Sequence, residues 1–344
     1  MTTEGKYIYG FVSTNESKNL GPIGIDQGEV YTLPYQNIAA VVSHLPYIRF
    51  DSLPRETLLR NLAVYQSVLE EVIKHQNIIP IKFGTVVEGD DTIWRIMEKG
   101  YDQIHDSLRD TENKIELDVV ALWGNLDAVL KEIGEEEEIK ELKDKVASKP
   151  GNEVFEIKIR VGKRVKELLD NKRETYRAEV LEGLLKTAEE HRFHGLMDDS
   201  IIMNVAFLIQ KDREDTLEGQ IAQLDRAYEN RVNFRIIGPL PPYSFRTFEI
   251  KRVDYAAIDE ARRTLELGEE TTIQEIREAY WQLTKKFHPD KLPGDLEAQK
   301  RFEKISKAYK LVNDYCKEDS CSFRESDVKN WLIVRPLEDQ RVVA

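Results

Sequence analysis

The chain has 344 residues, 41% of them hydrophobic and 33% charged, which is enough material for two or three globular domains. Its formal net charge of -13 argues against general binding to nucleic acid or to anionic membranes. No stretch approaches the roughly 20 apolar residues that a membrane-spanning helix needs, and residues 1–6 lack the apolar core of a signal peptide. We therefore expect a cytoplasmic protein without membrane insertion.

Residues 1–115 predict an α+β domain, because runs with strand-like alternation are followed by stripes at helical spacing. The predicted strands are 6–12, 38–42 and 78–87, and the predicted helices cover 58–72 and 93–108. A loop rich in glycine, proline and aspartate is expected between the first two strands. Asp90 and Asp91 are predicted to cap the second helix.

Residues 116–250 repeat this pattern with longer, more charged helices and form a second predicted α+β domain. Strands are predicted at 117–123, 201–210 and 232–237, and helices at 126–145, 153–190 and 217–229. The acidic run 135–138 is typical of a solvated helix face. Helices that alternate with strands in this way predict sheets covered by helices.

A proline-rich segment follows the last of these strands. It consists of Gly238, Pro239, Leu240, Pro241, Pro242, Tyr243, Ser244 and Phe245. Its three prolines lack backbone donors and restrict the chain. The sequence therefore predicts a rigid, extended segment that ends the sheet.

Residues 6–248 resemble the GvpL/GvpF family of gas vesicle proteins. The matching blocks are YIYG at 7–10, IPIKFGTV at 79–86, GLM at 195–197, IMNVAFLI at 202–209 and GPLPPYSF at 238–245. The resemblance implies two ferredoxin-like α+β domains in an accessory protein of gas vesicle formation. It also implies that the protein binds the small hydrophobic shell protein or other accessory proteins.

A helical hairpin is predicted within residues 251–318. Thr272 followed by Glu275 forms a capping box, and apolar residues then recur at helical spacing as far as Phe287. Pro289 disfavours helical backbone at His288, so the helix should end there. A return helix carries the second apolar stripe, Ala298, Phe302, Ile305, Tyr309 and Val312. A shorter helix around residues 258–265 is expected beside this pair.

This hairpin resembles the J-domain, the module by which co-chaperones engage Hsp70. The matching blocks are EIREAY at 275–280, FHPDK at 287–291 and RFEKISKAY at 301–309. The resemblance implies an Hsp70-binding site made by His288, Pro289 and Asp290, helped by the basic residues Arg277, Lys285 and Lys286. Two positions that are usually basic in the family carry Trp281 and Gln282 here, which weakens the local positive field. A hairpin of this shape that serves only in packing is the alternative.

The C-terminal residues 319–344 form a tail in which residues 331–334 are either a strand returning to a sheet or a partner-binding segment. The two cysteines, Cys316 and Cys321, flank its start. The two could pair with each other, but a large chain without a secretory signal is expected to keep such cysteines as reduced thiols.

The sequence offers little support for catalysis. It has no glycine-rich loop with the spacing that nucleotide binding requires. His191 and His194 with Asp198 and Asp199 suggest metal ligands at a helix end, but a solvated helix terminus explains them better. We expect no enzyme, no cofactor and no metal.

The sequence thus predicts a non-enzymatic assembly factor. The α+β domains are expected to bind a shell protein at sheet edges or apolar grooves, while the hairpin presents its charged end to Hsp70. Two other interpretations remain: a minor structural component of the vesicle, and a J-domain co-chaperone for unrelated clients.

Overall fold

The computed structural model describes residues 4–47, 50–147, 151–252, 255–291, 295–316, 319–328 and 332–337. The chain forms two compact units. The first comprises Met1–Gly89, Asp102–Thr247 and Leu337–Ala344, and the second comprises Asp90–Tyr101 and Phe248–Pro336. The expected boundary between domains 1–115 and 116–250 falls inside the first unit and stays a prediction.

The first sheet of the first unit is antiparallel. Its strands are β1 (Glu4–Val12), β2 (Asn19–Gly21), β3 (Val30–Tyr35), β4 (Ile38–Pro46), β5 (Ile78–Pro80) and β6 (Val86–Glu88). They are ordered β2-β3-β4-β1-β5, and β6 also pairs with β1. Helix α1 (Arg55–Ile73) packs on β1 and β5, and α2 (Gly89–Asp110) follows β6.

The second sheet of this unit contains β7 (Lys114–Trp123), β8 (Glu190–Phe193), β9 (Ile201–Gln210) and β10 (Val232–Leu240). Three helices, α3 (Leu126–Gly134), α4 (Glu137–Ala147) and α5 (Gly151–Leu184), connect β7 to β8, and α6 (Glu214–Tyr228) connects β9 to β10. The strands are antiparallel in the order β10-β7-β9-β8. This β-α-β-β-α-β arrangement is compatible with the predicted ferredoxin-like fold.

Aromatic and aliphatic side chains from both halves share the core of the first unit. Tyr7, Tyr9 and Tyr65 are buried there, and the rings of Tyr7 and Tyr9 lie 4.8 Å apart. The hydroxyl of Tyr9 donates to or accepts from Ser43 and accepts from the backbone N–H of Ile25. These bonds satisfy a polar group that would otherwise be costly to bury.

Several predictions about local structure were wrong. The expected loop between the first strands contains β2 and β3, whose exposed and intermediate residues weaken the apolar signal. The long helix α5 ends at Leu184 rather than Glu190, because residues 190–193 pair with β9. The strand expected at 78–87 is broken into β5 and β6, with Gly84 at a φ of 85° between them.

The predicted helix at 126–145 is likewise two helices, α3 and α4. Asn125 caps α3 by accepting from the backbone N–H of Ala128. The helix α2 begins at Gly89 with Glu88 at its N-cap position, so Asp90 and Asp91 lie in the first turn and not at the cap position predicted for them.

Besides residues 90–101 of α2, the described part of the second unit contains three principal helices and two short strand pairs. The helices are α7 (Tyr255–Thr264), α8 (Ile273–Phe287) and α9 (Leu296–Tyr315), with a short α10 (Glu325–Val328). The strand pairs are β11 (Phe248–Arg252) with β14 (Leu332–Pro336), and β12 (Glu270–Thr272) with β13 (Ser320–Ser322). The β14 strand includes residues 332–334 of the segment for which a returning strand was considered, whereas Trp331 lies outside the described residues.

The predicted apolar stripes form the core of this unit. Ile276 and Ile305 are buried, and the rings of Tyr280 and Tyr309 stack with centroids 4.0 Å apart. The capping box at the start of α8 is present: the Thr272 hydroxyl accepts from the backbone N–H of Glu275, whose carboxylate accepts from the backbone N–H of Thr272. The local sequence signals thus produce the predicted hairpin.

The two cysteines are paired, so the expectation of reduced thiols was wrong. Cys316 at the end of α9 and Cys321 in β13 form a disulfide with a Cα–Cα distance of 5.6 Å. The strand β13 pairs with β12, which directly precedes α8, and this pairing fixes the position of Cys321. Tyr315 reinforces this closure by donating a hydrogen bond to the backbone carbonyl of Ser322.

Candidate functional site

The first candidate site is the tip of the helical hairpin, formed by His288, Pro289 and Asp290. The helix α8 ends at Phe287, and His288 has φ -64° and ψ 132°, an extended conformation imposed by the proline that follows. The His288 carbonyl accepts from the backbone N–H of Lys291 at 2.9 Å, which closes a tight turn with Pro289 at its second position. The tripeptide is therefore presented in a defined turn.

The side chains of this tip are accessible. The Asp290 side chain is 89% exposed and that of His288 44% exposed. The His288 Nδ1 accepts from the backbone N–H of Asp290 at 3.2 Å and lies 3.6 Å from the Asp290 carboxylate. An exposed carboxylate beside an oriented imidazole can form charge-assisted hydrogen bonds with an approaching basic group.

Basic residues and an aromatic residue line the exposed face of α8 that leads to the tip. Arg277, Lys285 and Lys286 are exposed, and Trp281 is 64% exposed. The Lys285 ammonium lies 4.9 Å from the centroid of the Trp281 ring. This cation–π contact orders the lysine on the tip side of the helix.

The second candidate site is the proline-rich segment of residues 238–245, hereafter the 238–245 segment. Its beginning belongs to β10, which extends through Gly238 and Pro239 to Leu240, so the predicted strand end at residue 237 was too early. The segment ends the strand as predicted, but residues 242–245 form a turn and are not extended. The Gly238–Pro239 peptide bond is cis. At Gly238 a side chain would clash with Leu117 and the Glu116 carbonyl. Pro241 and Pro242 are buried.

The rest of the segment packs against α1, the main core and the second sheet of the first unit. The Tyr243 ring lies 6.4 Å from that of Tyr65 in α1 and packs against the main core. Phe245 packs on Ala206 and Leu208 on the other face of the second sheet. The segment therefore has a structural role in joining α1 to this sheet.

Ser244 donates two hydrogen bonds to a buried carboxyl group, that of Glu116, on the same face of the second sheet as Phe245. Its backbone N–H donates to Glu116 Oε2 at 2.8 Å, and its hydroxyl donates to Glu116 Oε1 at 2.6 Å. Glu116 is 1% exposed, and burial together with the charge of Asp118 raises the pKa of its carboxyl to about 8. His194 lies beside this group, with its Nε2 3.3 Å from Ser244 Oγ and 3.8 Å from Asp118 Oδ1.

Sequence analysis missed Glu116 and Asp118. The only signal was their alternation in an otherwise apolar strand, which places both on one sheet face. The histidines and aspartates considered together are separated in the structure. His191 lies in β8 and not at a helix end, and Asp199 pairs with Lys166 and Arg173 at 2.7 and 3.2 Å.

Comparison with known proteins assigns the first part of the chain to a protein family. The family model described as "Gas vesicle synthesis protein GvpL/GvpF" matches residues 5–247. The chain belongs to the GvpL/GvpF family. A second family model, the DnaJ domain, matches residues 263–319. This gas vesicle protein therefore carries a DnaJ domain after its GvpL/GvpF region, as the sequence predicted, and the tip lies within that domain.

Individual relatives agree with this division. Gas vesicle protein F of a Streptomyces species (strain CB03234) is 26% identical over 242 residues, covering 70% of this chain and 98% of that protein. Gas vesicle protein F of Haloferax mediterranei is 22% identical over 247 residues, or 71% of this chain and 93% of that protein. The chaperone protein DnaJ of Chlamydia felis is 51% identical over 47 residues, which are 14% of this chain and 12% of that protein.

Solved structures confirm the fold of the GvpL/GvpF region. The crystal structure of gas vesicle protein GvpF from Anabaena sp. PCC7120 matches with a TM-score of 0.61 and 22% identity, covering 71% of this chain and 98% of that one. GvpF from Microcystis aeruginosa matches with a TM-score of 0.56 and 19% identity, over 70% of this chain and 98% of that one. The predicted α+β class is confirmed. Among the described residues, no helix is long and apolar enough to cross a membrane.

Proposed function

We propose that this protein is a non-enzymatic assembly factor of gas vesicle formation that brings an Hsp70 to a shell protein or to another accessory protein. The GvpL/GvpF region would bind the gas vesicle client, and the DnaJ domain would engage the chaperone. The protein would act in the cytoplasm, in association with forming vesicles. Neither partner requires a reaction at this chain, because its part is to hold two proteins together.

The observation that carries the proposal is the exposed tip on a chain that otherwise matches gas vesicle proteins. Asp290 is 89% exposed, and the turn is fixed by the bond between Lys291 N–H and the His288 carbonyl. A hairpin used only for packing has no need to leave these side chains accessible. Lys285 and Lys286, together with Arg277, add positive charge on the same helix, which favours an acidic surface on the partner.

The second sheet offers a surface suited to an apolar client. Its outer strands in the described part of the chain are β8 and β10. Each exposes a large apolar side chain, Phe193 at 52% and Ile237 at 50%. Phe193 is already covered in part by the Arg177 guanidinium, 5.3 Å from its ring centroid. Ile237 on β10 is thus the better candidate for strand addition by a hydrophobic shell protein.

A sandwich capture experiment tests both halves of the proposal on the intact chain. Shell protein is immobilised, the full chain is added, and a purified Hsp70 is then supplied with ATP. We expect Hsp70 to be retained only when the full chain is present, and to be lost with His288→Gln while the chain itself stays bound. Failure of the chain to bind any shell or accessory protein would reject the client half. Equal Hsp70 retention by wild type and variant would reject the chaperone half.

A further inference from the structure

A cluster of three metal-ligand side chains lies beneath the 238–245 segment, independent of the DnaJ domain. Glu116 and Asp118 extend from the same face of β7, and His194 follows β8. One potential ligand atom from each residue lies within 4.8 Å of the other two. Two carboxylate oxygens and one imidazole nitrogen at this spacing are able to converge on a single ion.

One of these ligand atoms is buried without a fixed donor. Asp118 Oδ1 is shielded from solvent and accepts no hydrogen bond from an N–H or hydroxyl group of the described residues, although a protonated Glu116 carboxyl can donate to the Asp118 carboxylate. This oxygen lies 3.8 Å from His194 Nε2, so it is directed into the cluster. A buried carboxylate oxygen without a donor is costly, and a bound cation would remove that cost.

The Glu116 carboxylate is held in place by groups outside the cluster. The backbone N–H and the hydroxyl of Ser244 each donate to one of its oxygens. Each oxygen keeps a second lone pair, because a carboxylate accepts about four hydrogen bonds in all. Outer-sphere hydrogen bonds of this kind orient carboxylate ligands in metal sites. Ser244 thus serves as a positioning residue.

We propose that Glu116, Asp118 and His194 bind a divalent transition-metal ion of the Zn²⁺ type. One imidazole and two carboxylates balance the charge of such an ion when the imidazole is neutral. The side chains of His194 and Asp118 are 14% and 22% exposed, so water can reach the fourth coordination position. The ion would connect β7 to the loop after β8 and, through Ser244, to the 238–245 segment.

The competing explanation for the same geometry is a proton shared by the two carboxyl groups. Burial and the neighbouring Asp118 raise the pKa of Glu116, so its carboxyl is substantially protonated at neutral pH without an ion. An ion would displace this proton. Zinc binding at neutral pH should therefore release protons, which calorimetry in buffers of different ionisation enthalpy detects.

The test uses the full chain after dialysis against EDTA, with Zn²⁺ as the probe in calorimetric and thermal-unfolding titrations. We expect one tight site per chain and a higher Tm with zinc. Asp118→Asn and His194→Gln should each weaken binding at least about tenfold, and Ser244→Ala about 10- to 100-fold. His191→Gln is the matched control, because His191 lies in neighbouring β8 but outside the cluster, and it should bind zinc as wild type does.

Cobalt gives a second readout that does not depend on stability. Co²⁺ in a site with one imidazole and two carboxylates should show visible absorption bands in wild type, and these bands should be lost in Asp118→Asn. Circular dichroism checks that each variant is folded, and His194→Gln replaces Asp118→Asn if the latter is not. Absence of micromolar zinc binding in wild type, or equal binding by wild type and both cluster variants, would overturn the proposal in favour of the shared proton.

Discussion

The His288 ring lies edge-on to the ring of Phe302, with centroids 5.6 Å apart and planes inclined at 79°. His288 follows α8, whereas Phe302 belongs to α9. The second helix of the hairpin therefore packs against the histidine of the tip. The hairpin is therefore more than a carrier of the tripeptide, because its packing fixes the orientation of the histidine.

This contact predicts a graded effect of Phe302→Leu. The leucine keeps an apolar side chain but removes the ring pair, which is worth about 0.5–1.5 kcal/mol. We expect a loss of about 1 kcal/mol in the unfolding free energy of the DnaJ domain and a partial loss of Hsp70 stimulation. Leu296→Ala is the control, since Leu296 is also in α9 but 71% exposed. An unchanged stimulation by Phe302→Leu would show that the ring contact does not orient His288.

The buried Glu116 predicts a pH dependence of stability in metal-free protein. Its pKa rises from the ordinary value of 4.5 to about 8 on folding, with Asp118, His194 and Ser244 as its facing groups. The folded chain thus binds the proton more tightly than the unfolded chain. The contribution of Glu116 to stability is fully present below pH 4.5, the pKa of its carboxyl in the unfolded chain. It is lost as the pH rises through about 8, the pKa in the folded chain.

Urea unfolding in EDTA, from about pH 5 to about pH 8, measures this dependence in wild type and in Glu116→Gln. Wild type should lose stability relative to the variant by at most about 1.4 kcal/mol per pH unit. Glutamine does not titrate, so it removes this contribution and leaves those of other groups. Parallel profiles for the two proteins would mean that Glu116 keeps an ordinary pKa in the folded chain.

The disulfide predicts a redox effect confined to the second unit. Reduction of Cys316–Cys321 should lower the stability of this unit by about 2 kcal/mol, because the bond closes a short loop. Thiol titration of the unfolded chain should detect free thiols only after reduction. The double variant Cys316→Ser/Cys321→Ser should match reduced wild type and be insensitive to reductant. A reductant-sensitive Tm in that double variant would contradict this assignment.

If the exposed edge of the second sheet binds the client, a charge placed on that edge should weaken client binding. Ile237→Lys places a charge on β10, where it should oppose both strand addition and apolar contact. We expect capture of shell protein to fall about tenfold, equivalent to about 1.4 kcal/mol. Asn233→Lys is the matched control, because it adds the same charge at another exposed position of β10. Equal capture by the two variants would place the client elsewhere.

Sequence was sufficient for the hairpin because its signals are local. The capping box of Thr272 with Glu275 sets the start of α8, and Pro289 sets its end. The predicted stripes fall on buried and half-buried positions because helical spacing alone determines which residues share a face. Local apolar patterns likewise predicted β1, β4, β7, β9 and β10 of the first unit, and the apolar run of β9, interrupted at Asn204, is buried on both faces.

Sequence was insufficient where long-range pairing decides the structure. Residues 190–193 form a strand only because β9 is available to pair with them. Glu116 and Ser244 are 128 residues apart along the chain, so no local pattern could indicate that one holds the other. The same holds for His194, which the sequence grouped with Asp198 and Asp199 but the sheet brings to Asp118.

The steady-state ATPase rate of an Hsp70 in the presence of the full chain tests the central claim most directly. Wild type should accelerate hydrolysis, whereas His288→Gln and Asp290→Asn should not, because both alter the exposed tip without changing the buried stripes. Lys307→Gln, on the exposed side of α9, should accelerate hydrolysis as wild type does. An Hsp70 rate that wild type leaves unchanged, or that both tip variants raise as much as wild type, would contradict the claim that this gas vesicle protein recruits a chaperone.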